Sequence, residues 1–207
     1  MRGKRTAFIL LSALLACGGA LPVGKTQAAY TPGPFSDTFE SYQQGDTMAT
    51  DADGNPATLA DYTVTLPAGM SAEISDAYRL SGSNSLKLSD PGSGVIKLNK
   101  AFTTATNVTK AVAEAGVFLA TSNSWIELRM YKTTSAVARL YFVNSELRYY
   151  NGVTNAAVTL PSPVMSAGRW YKARIESDTA AKTYDIYIDG QLVVKDAPMA
   201  ANVTTMN

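Results

Sequence analysis

The segment that most constrains the fold is a set of alternating runs that ends in a hairpin at Asp189-Gly190. Residues 170–176 and 184–188 alternate in side-chain character with a period of two, and a third run, 191–195, follows the dipeptide. An Asp-Gly loop between alternating runs is the strongest short-range hairpin signal, because both central residues of a type I′ turn need positive φ. The end of the chain is therefore predicted to be antiparallel β-structure.

The rest of the chain repeats this pattern in short segments. Helical periodicity is poor, and Thr, Val and Tyr are plentiful, which favours an all-β sandwich or barrel. A hydrophobic content of 46% over 207 residues is enough for one domain with a core. No linker interrupts residues 35–207, so they are predicted to form a single domain. Further strands are predicted at residues 35–42, 62–66, 72–75, 85–89, 95–98, 110–120, 124–132, 136–143 and 146–150.

The first 28 residues have the pattern of a secretory leader. Arg2, Lys4 and Arg5 precede an apolar run at residues 7–16, which is too short to span a bilayer. The small residues around Ala28 predict cleavage after that position. Residues 1–28 are thus predicted to be a signal peptide and residues 29–34 a linker, and the protein is predicted to be extracellular.

A second interpretation of the leader depends on its cysteine. Residues 14–17 read Leu-Leu-Ala-Cys and resemble a bacterial lipobox, and Cys17 is the single cysteine of the chain. Lipidation of Cys17 would anchor the protein to a membrane at the cell surface. The sequence leaves both routes open, and a membrane partner is predicted only for the second.

Composition narrows the function classes. Removing residues 1–28 leaves 14 basic against 17 acidic side chains, a net charge of −3, which argues against a nucleic-acid partner. The chain has no histidine, so Ser-His-Asp and Cys-His catalysis are excluded and a zinc site is disfavoured.

One predicted surface has the chemistry of a glycan-binding site. If the strands at 124–132, 136–143 and 146–150 pair as a meander, aromatic and arginine side chains share one face. Aromatic rings stack on sugars, and arginine binds carboxylates with two hydrogen bonds. The alternative is a half-solvated face on which these residues form cross-strand pairs with Glu127 and Glu146. The candidate residues are Trp125, Arg129, Tyr131, Arg139, Tyr141, Arg148 and Tyr150.

Three sequence pieces resemble a known family. They are Asp37-Thr38-Phe39-Glu40 with Gly45, the run Gly82-Ser83-Asn84-Ser85-Leu86-Lys87-Leu88, and the closing Trp170…Asp189-Gly190 hairpin. Together, over residues 30–207, they resemble the concanavalin A-like (laminin G-like) jelly rolls of secreted bacterial carbohydrate-active proteins. The resemblance implies an antiparallel two-sheet jelly-roll sandwich. It also implies a final strand after the hairpin, for which the chain has little room, and a further domain joined downstream, such as a pectate lyase.

The resemblance also implies a structural calcium near the first strand, where Asp37 and Glu40 match. In the loop that follows, Asp51 and Asp53 offer oxygen ligands at alternate positions, although they lack the remaining ligands of an EF-hand. The alternative for this pair is a solvated turn.

The sequence therefore predicts a non-catalytic carbohydrate-binding or accessory module of a secreted polysaccharide-degrading protein. Its predicted partner is a polysaccharide, and the arginines of the candidate face suit an acidic one. The first alternative is the N-terminal part of a polysaccharide lyase with catalysis outside this chain. If the chain itself is an enzyme, a lyase is the favoured class, although Glu-Leu-Arg at 127–129 and 146–148 matches only part of an alginate-lyase signature. The second alternative is a structural cell-surface or adhesion domain.

Overall fold

The protein is all-β in the part of the chain that its computed structural model describes. That part comprises residues 5–14, 35–36, 39–47, 62–91, 95–99, 109–122, 125–132 and 135–200. No helix occurs in these ranges, so none of the described residues forms a helix with the length and hydropathy of a membrane span. Two antiparallel sheets pack together, which confirms the predicted two-sheet sandwich.

Fourteen strands make up the described fold, and they are numbered in chain order. They are β1 Arg5–Leu14, β2 Phe35–Ser36, β3 Thr63–Thr65, β4 Ser71–Ser75, β5 Ser85–Asp90, β6 Lys97–Asn99, β7 Lys110–Leu119, β8 Trp125–Lys132, β9 Ser135–Val143, β10 Glu146–Asn151, β11 Ala156–Thr159, β12 Trp170–Asp178, β13 Thr183–Ile188 and β14 Gln191–Pro198.

The larger sheet has the order β14-β13-β12-β7-β1-β5-β4, and the short β2 also pairs with β1. The smaller sheet is a meander with the order β11-β10-β9-β8, and β3 and β6 pair as a separate two-stranded sheet. Consecutive strands are neighbours in the meander and in the β12–β14 group. The pairings of β1 join segments that lie far apart in sequence.

The main core lies between the two sheets because each sheet turns every second side chain inward. Leu140 and Phe142 of β9 and Leu147 of β10 come from the small sheet, and Ile175 and Ile186 come from the large one. Each is at most 1% exposed. Burying a side chain of this size contributes about 1.5–3 kcal/mol, so the alternating pattern fixes which face of each strand is outside.

A second, smaller cluster packs beneath β4 and β5. It contains Phe39, Ala72, Ile74 and Leu86. Phe39 is 1% exposed although the backbone there has a φ of 63°. The predicted strand over residues 35–42 is therefore too long: among the described residues of this range only Phe35–Ser36 pairs, and the chain turns at Phe39.

Turn geometry explains the hairpins. Asp189 and Gly190 have φ values of 51° and 80°, which confirms the predicted type I′ turn between β13 and β14. Asn144 and Ser145, with φ values of 49° and 66°, make a second turn with two positive φ values between β9 and β10. Farther from this turn the pairing of β13 with β14 is irregular, with register shifts on either side of Ile186.

The N-terminal segment shows an unexpected arrangement. Arg5–Leu14, inside the predicted leader, forms β1 between β5 and β7. This is the structure of the unprocessed chain, so removal of residues 1–28 stays a prediction. Cys17 and the linker 29–34 lie outside the described residues. At the other margin of the large sheet, β14 pairs with β13 alone among the described strands, and the closing strand also stays a prediction.

Candidate functional site

Strand register places the seven candidate residues on one surface. Arg129 of β8 lies opposite Arg139 of β9, and Tyr141 of β9 lies between Glu127 of β8 and Arg148 of β10. Because residues directly opposite one another share a side of the sheet, these pairs fix a common outward face. We call it the β8–β10 face; it carries Trp125, Arg129, Tyr131, Arg139, Tyr141, Arg148 and Tyr150.

Two aromatic side chains on the β8–β10 face are strongly exposed. Trp125 is 58% exposed and Tyr131 is 42% exposed, while Ile126 between them is buried in the core. The two rings stand near opposite ends of β8, so each is a separate exposed aromatic with polar surroundings. Such rings can stack on the apolar side of a flat ligand.

Ion pairs on this face run along the strands. Arg129 binds the carboxylate of Glu127 two residues earlier, and its Nη1 donates to the Tyr131 hydroxyl at 2.7 Å. The hydrogen bond that Arg129 donates to Glu127 raises the pKa of Arg129. In β10, Arg148 donates to Glu146 from Nε at 3.0 Å and from Nη2 at 2.5 Å. The ion pairs of these two glutamates therefore run along their own strands, whereas Tyr141 lies across from Glu127, as the half-solvated alternative predicts.

Two buried polar atoms of the face have no hydrogen-bond partner. They are Oε1 of Glu127 and Nε of Arg139. The Arg139 guanidinium lies 4.6 Å from the ring centre of Tyr150, which holds it against the sheet. An unsatisfied buried polar group costs about 1–3 kcal/mol. Glu127 can accept a hydrogen bond and Arg139 can donate one, and a ligand hydroxyl can do both.

Tyr184 supports the face from below. It projects from β13, is 1% exposed, and its hydroxyl donates to the carbonyl oxygen of Tyr150. The carbonyl oxygen of Arg139 lies 3.5 Å from the same hydroxyl. Burial raises the pKa of Tyr184, so the group is a neutral donor at neutral pH. A single side chain of the large sheet thus fixes the backbone beneath Arg139 and Tyr150.

An open groove adjoins one end of the face. Its volume is about 350 Å³. Glu146 lines the groove and lies at the start of β10, next to the β8–β10 face. Val143 of β9 lies between Glu146 of β10 and Trp125 of β8, because it is opposite both of them. Val164 on the groove wall is 73% exposed. The groove was not predicted, because its walls come from the irregular chain that follows β11. It is lined by Asn144, Ser145, Glu146, Thr159, Leu160, Pro161, Pro163 and Val164.

The predicted calcium residues divide into two sets. Asp37, Asp51 and Asp53 lie outside the described residues. Glu40 accepts hydrogen bonds from the backbone N–H groups of Ser83 at 2.9 Å and Asn84 at 2.8 Å. These bonds, that of Asn84 most strongly, lower the pKa of Glu40. Within the described ranges no group of three or more acidic, histidine or cysteine side chains could hold a metal ion. Calcium binding stays a prediction.

A row of aromatic rings crosses the large sheet. Tyr78 stacks on Phe118 with ring centres 4.3 Å apart, and Phe118 lies 5.5 Å from Trp170. The sequence does not indicate this row, because Tyr78 and Phe118 lie far apart in the chain and meet only in the folded protein.

Comparisons with known proteins add little to this geometry. A scan against protein-family models finds no matching family, and a search of the curated proteins finds no match. Among solved structures the chain is similar to a protein described as a sialidase, with 17% identity and a TM-score of 0.46. The alignment covers 77% of this chain and 14% of that one, so the chain spans a small part of its length. A similarity of this size identifies neither family nor function. The fold and the face define a β-sandwich with an aromatic and arginine-rich sheet surface.

Proposed function

We propose that this chain is a non-catalytic carbohydrate-binding or accessory module of a secreted polysaccharide-degrading protein. Its sandwich is taken to be a concanavalin A-like jelly roll, and the β8–β10 face is taken to be its glycan-binding surface. The observation that carries the proposal is the exposure of Trp125 and Tyr131 on a face that also carries Arg129 and Arg148, whose side chains are 37% and 34% exposed.

The chemistry of the face suits a polysaccharide. Trp125 and Tyr131 stand six residues apart on one strand, a separation of roughly 20 Å. This is long enough for several units of an extended glycan. Sugar rings have apolar faces that can stack on the exposed rings of Trp125 and Tyr131.

The charge of the face favours an acidic glycan. This surface carries three arginines and two glutamates, and their charges sum to one net positive charge. The arginines are Arg129, Arg139 and Arg148, and the glutamates are Glu127 and Glu146. A uronate carboxylate that reached Arg139 would gain a charge-assisted hydrogen bond.

Affinity electrophoresis tests the proposal directly. Wild-type protein, Trp125→Ala and the control Leu192→Ala are run through gels that contain pectin, alginate or a neutral glucan. Leu192 is 47% exposed on the other sheet, so its loss leaves the face intact. We expect retardation by an acidic polysaccharide, unchanged in the control and weakened about tenfold in Trp125→Ala. If none of the three polysaccharides retards the wild type, the proposal is wrong.

Two further arms separate the alternatives. A lyase in this chain would produce the ultraviolet absorbance of unsaturated uronates when incubated with pectin or alginate, whereas an accessory module binds without that signal. Equal retardation by the neutral glucan would retain a binding module but contradict the preference for acidic chains.

The remaining elements of the proposal concern processing and metal content. N-terminal sequencing of exported protein tests cleavage after Ala28 against lipidation of Cys17. A calcium titration of the melting temperature tests the predicted metal ligands, which are Asp37, Glu40, Asp51 and Asp53.

A further inference from the structure

The groove beside β10 continues the β8–β10 face at its Trp125 end. Register places Trp125 of β8, Val143 of β9 and Glu146 of β10 side by side across the small sheet. Val143 is 4% exposed, yet it is in neither of the two core clusters that the described residues form, as expected on the outward side of the sheet. Glu146 is also part of the groove wall. Two strand spacings, about 9.5 Å, therefore separate the exposed ring of Trp125 from the groove.

Backbone hydrogen bonds hold both ends of the segment that forms the outer wall of the groove. The N–H of Leu160 donates to the carbonyl oxygen of Leu147 at 2.9 Å, and the N–H of Met165 donates to that of Ser145 at 2.8 Å. The side chain of Met165 is buried in the main core. Residues 160–165 are thus fixed against the start of β10, so the fold itself shapes the groove, as is usual for small-ligand sites.

The lining of the groove combines hydroxyl and amide groups with apolar surface. Asn144, Ser145 and Thr159 supply polar groups that both donate and accept hydrogen bonds. Pro161 and Val164 supply apolar surface. The volume of about 350 Å³ lies at the lower end of the roughly 300–1,000 Å³ that small-ligand pockets have. The groove therefore suits a small ring that carries several hydroxyl groups.

The charges at the edge of the groove form an ion pair. Among the residues that line the groove, Glu146 is the charged one, and Arg148 donates to it from Nε at 3.0 Å and from Nη2 at 2.5 Å. Arg148 lies at the groove edge because it is directly opposite Thr159 of the lining. The pair has no net charge and the Arg148 side chain is still 34% exposed, so a uronate carboxylate can bind this arginine without meeting an uncompensated negative charge.

We propose that the groove is a subsite for one sugar unit of the glycan, and that the bound chain crosses β9 from Trp125 to the groove. The inference rests on the proposed glycan-binding function of the β8–β10 face and deepens it by naming the path of the chain. The unit in the groove places its carboxylate on Arg148, while the neighbouring part of the chain stacks on Trp125. Tyr131 lies six residues farther along β8, so only a longer chain reaches it.

Two matched variants test this path. Val164→Asp places a carboxylate in the groove wall, whereas Val153→Asp places one in the turn between β10 and β11, at the far end of β10. The two valines are 73% and 78% exposed, so neither change should alter the melting temperature. The probes are pectin with a trisaccharide of galacturonate, and alginate with a trisaccharide of mannuronate. Isothermal titration calorimetry measures each dissociation constant.

We expect the trisaccharide of the retarding polysaccharide to bind the wild type and Val153→Asp equally. It should bind Val164→Asp about tenfold more weakly, because an apolar contact is lost and the new carboxylate repels the acidic unit. Trp125→Ala should weaken binding of the trisaccharide as well, whereas Tyr131→Ala should weaken binding of the polysaccharide alone.

The outcomes separate this inference from the function on which it rests. If the polysaccharide binds through Trp125 but the trisaccharide binds Val164→Asp and Val153→Asp equally, or does not bind the wild type, the groove is not a subsite and the binding function stands. The path is also wrong if Tyr131→Ala weakens trisaccharide binding as strongly as Trp125→Ala, because the chain would then follow β8. If neither acidic polysaccharide binds the wild type, the proposed function fails and the inference fails with it.

Discussion

Replacing Tyr184 with phenylalanine removes one hydroxyl that joins the two sheets beneath the β8–β10 face. The hydroxyl donates to the carbonyl oxygen of Tyr150, and the side chain is 1% exposed. The lost hydrogen bond and the carbonyl left without it should together cost about 1.5 kcal/mol. For a chain of this size the melting temperature should fall by roughly 3–6 °C. Guanidinium unfolding at pH 7, followed by tryptophan fluorescence, measures the free energy of unfolding.

The same variant makes a pH-dependent prediction with a definite sign. Burial raises the pKa of Tyr184 above its ordinary value of 10.0. The folded state therefore retains a proton that the unfolded state loses, and stability falls as the pH rises above 10. Wild-type protein should lose about 1.4 kcal/mol per pH unit more than Tyr184→Phe in that range. The advantage of the wild type at pH 7 should thus disappear near pH 11.

Tyr131→Phe is the control, because that hydroxyl is exposed and bonded to Arg129 at the surface. Its free energy of unfolding should change by less than about 0.5 kcal/mol. The predicted role of the Tyr184 hydroxyl would be wrong if Tyr184→Phe and Tyr131→Phe had the same free energy of unfolding at pH 7. It would also be wrong if the free energy of unfolding of Tyr184→Phe differed from that of the wild type by the same amount at pH 7 and pH 11.

Two other predictions concern a turn and a loop. A Cβ at Gly152 would lie 2.2 Å from the carbonyl carbon of Met199, so Gly152→Ala should cost about 2–3 kcal/mol in chemical denaturation. Gly69→Ala, where the added atom meets nothing within 4 Å, should cost about 1 kcal/mol because of its positive φ; equal losses would contradict the packing argument. Glu40→Gln should lower the melting temperature at pH 7, since the lowered pKa of Glu40 stabilises the fold above pH 4.5. The difference from wild type should shrink as the pH falls below 4.5, and a constant difference would contradict it.

The sequence predicts the fold best where side chains alternate and turns have a specific chemistry. The meander of β8, β9 and β10 was predicted with bounds within a residue, and the Asp189-Gly190 hairpin was predicted with β14 ending three residues too early. β11 was missed, because Ala156–Thr159 is short and mostly exposed and carries no clear alternation. The pairing of Arg5–Leu14 could not be predicted, since an apolar run after basic residues also has the pattern of a leader.

The candidate face was predictable as a surface but not in its details. A period of two places Trp125 and Tyr131 on the same side of a strand. The register shifts between Met130 and Tyr131, and the hydrogen bond from Arg129 keeps the Tyr131 hydroxyl on the side of Arg129. The ion pairs within each strand, such as Arg148 with Glu146, depend on rotamers that the sequence does not specify. The support from Tyr184 depends on how one sheet packs on the other, and neither its strand pattern nor its spacing indicates it.

The irregular pairing of β14 has a consequence for how copies of this protein meet. An outermost strand presents free backbone groups that can template pairing with a neighbouring molecule. Here the ladder shifts register at Ile186, Asp196 has a φ of 53°, and its N–H donates to the Asp185 carboxylate. Lys195 beside it is exposed. A bulge of this kind adds local twist, and a charge at the margin resists a close approach. We therefore expect the backbone groups of two copies brought edge to edge to be out of step, which would make this margin a poor template for fibres.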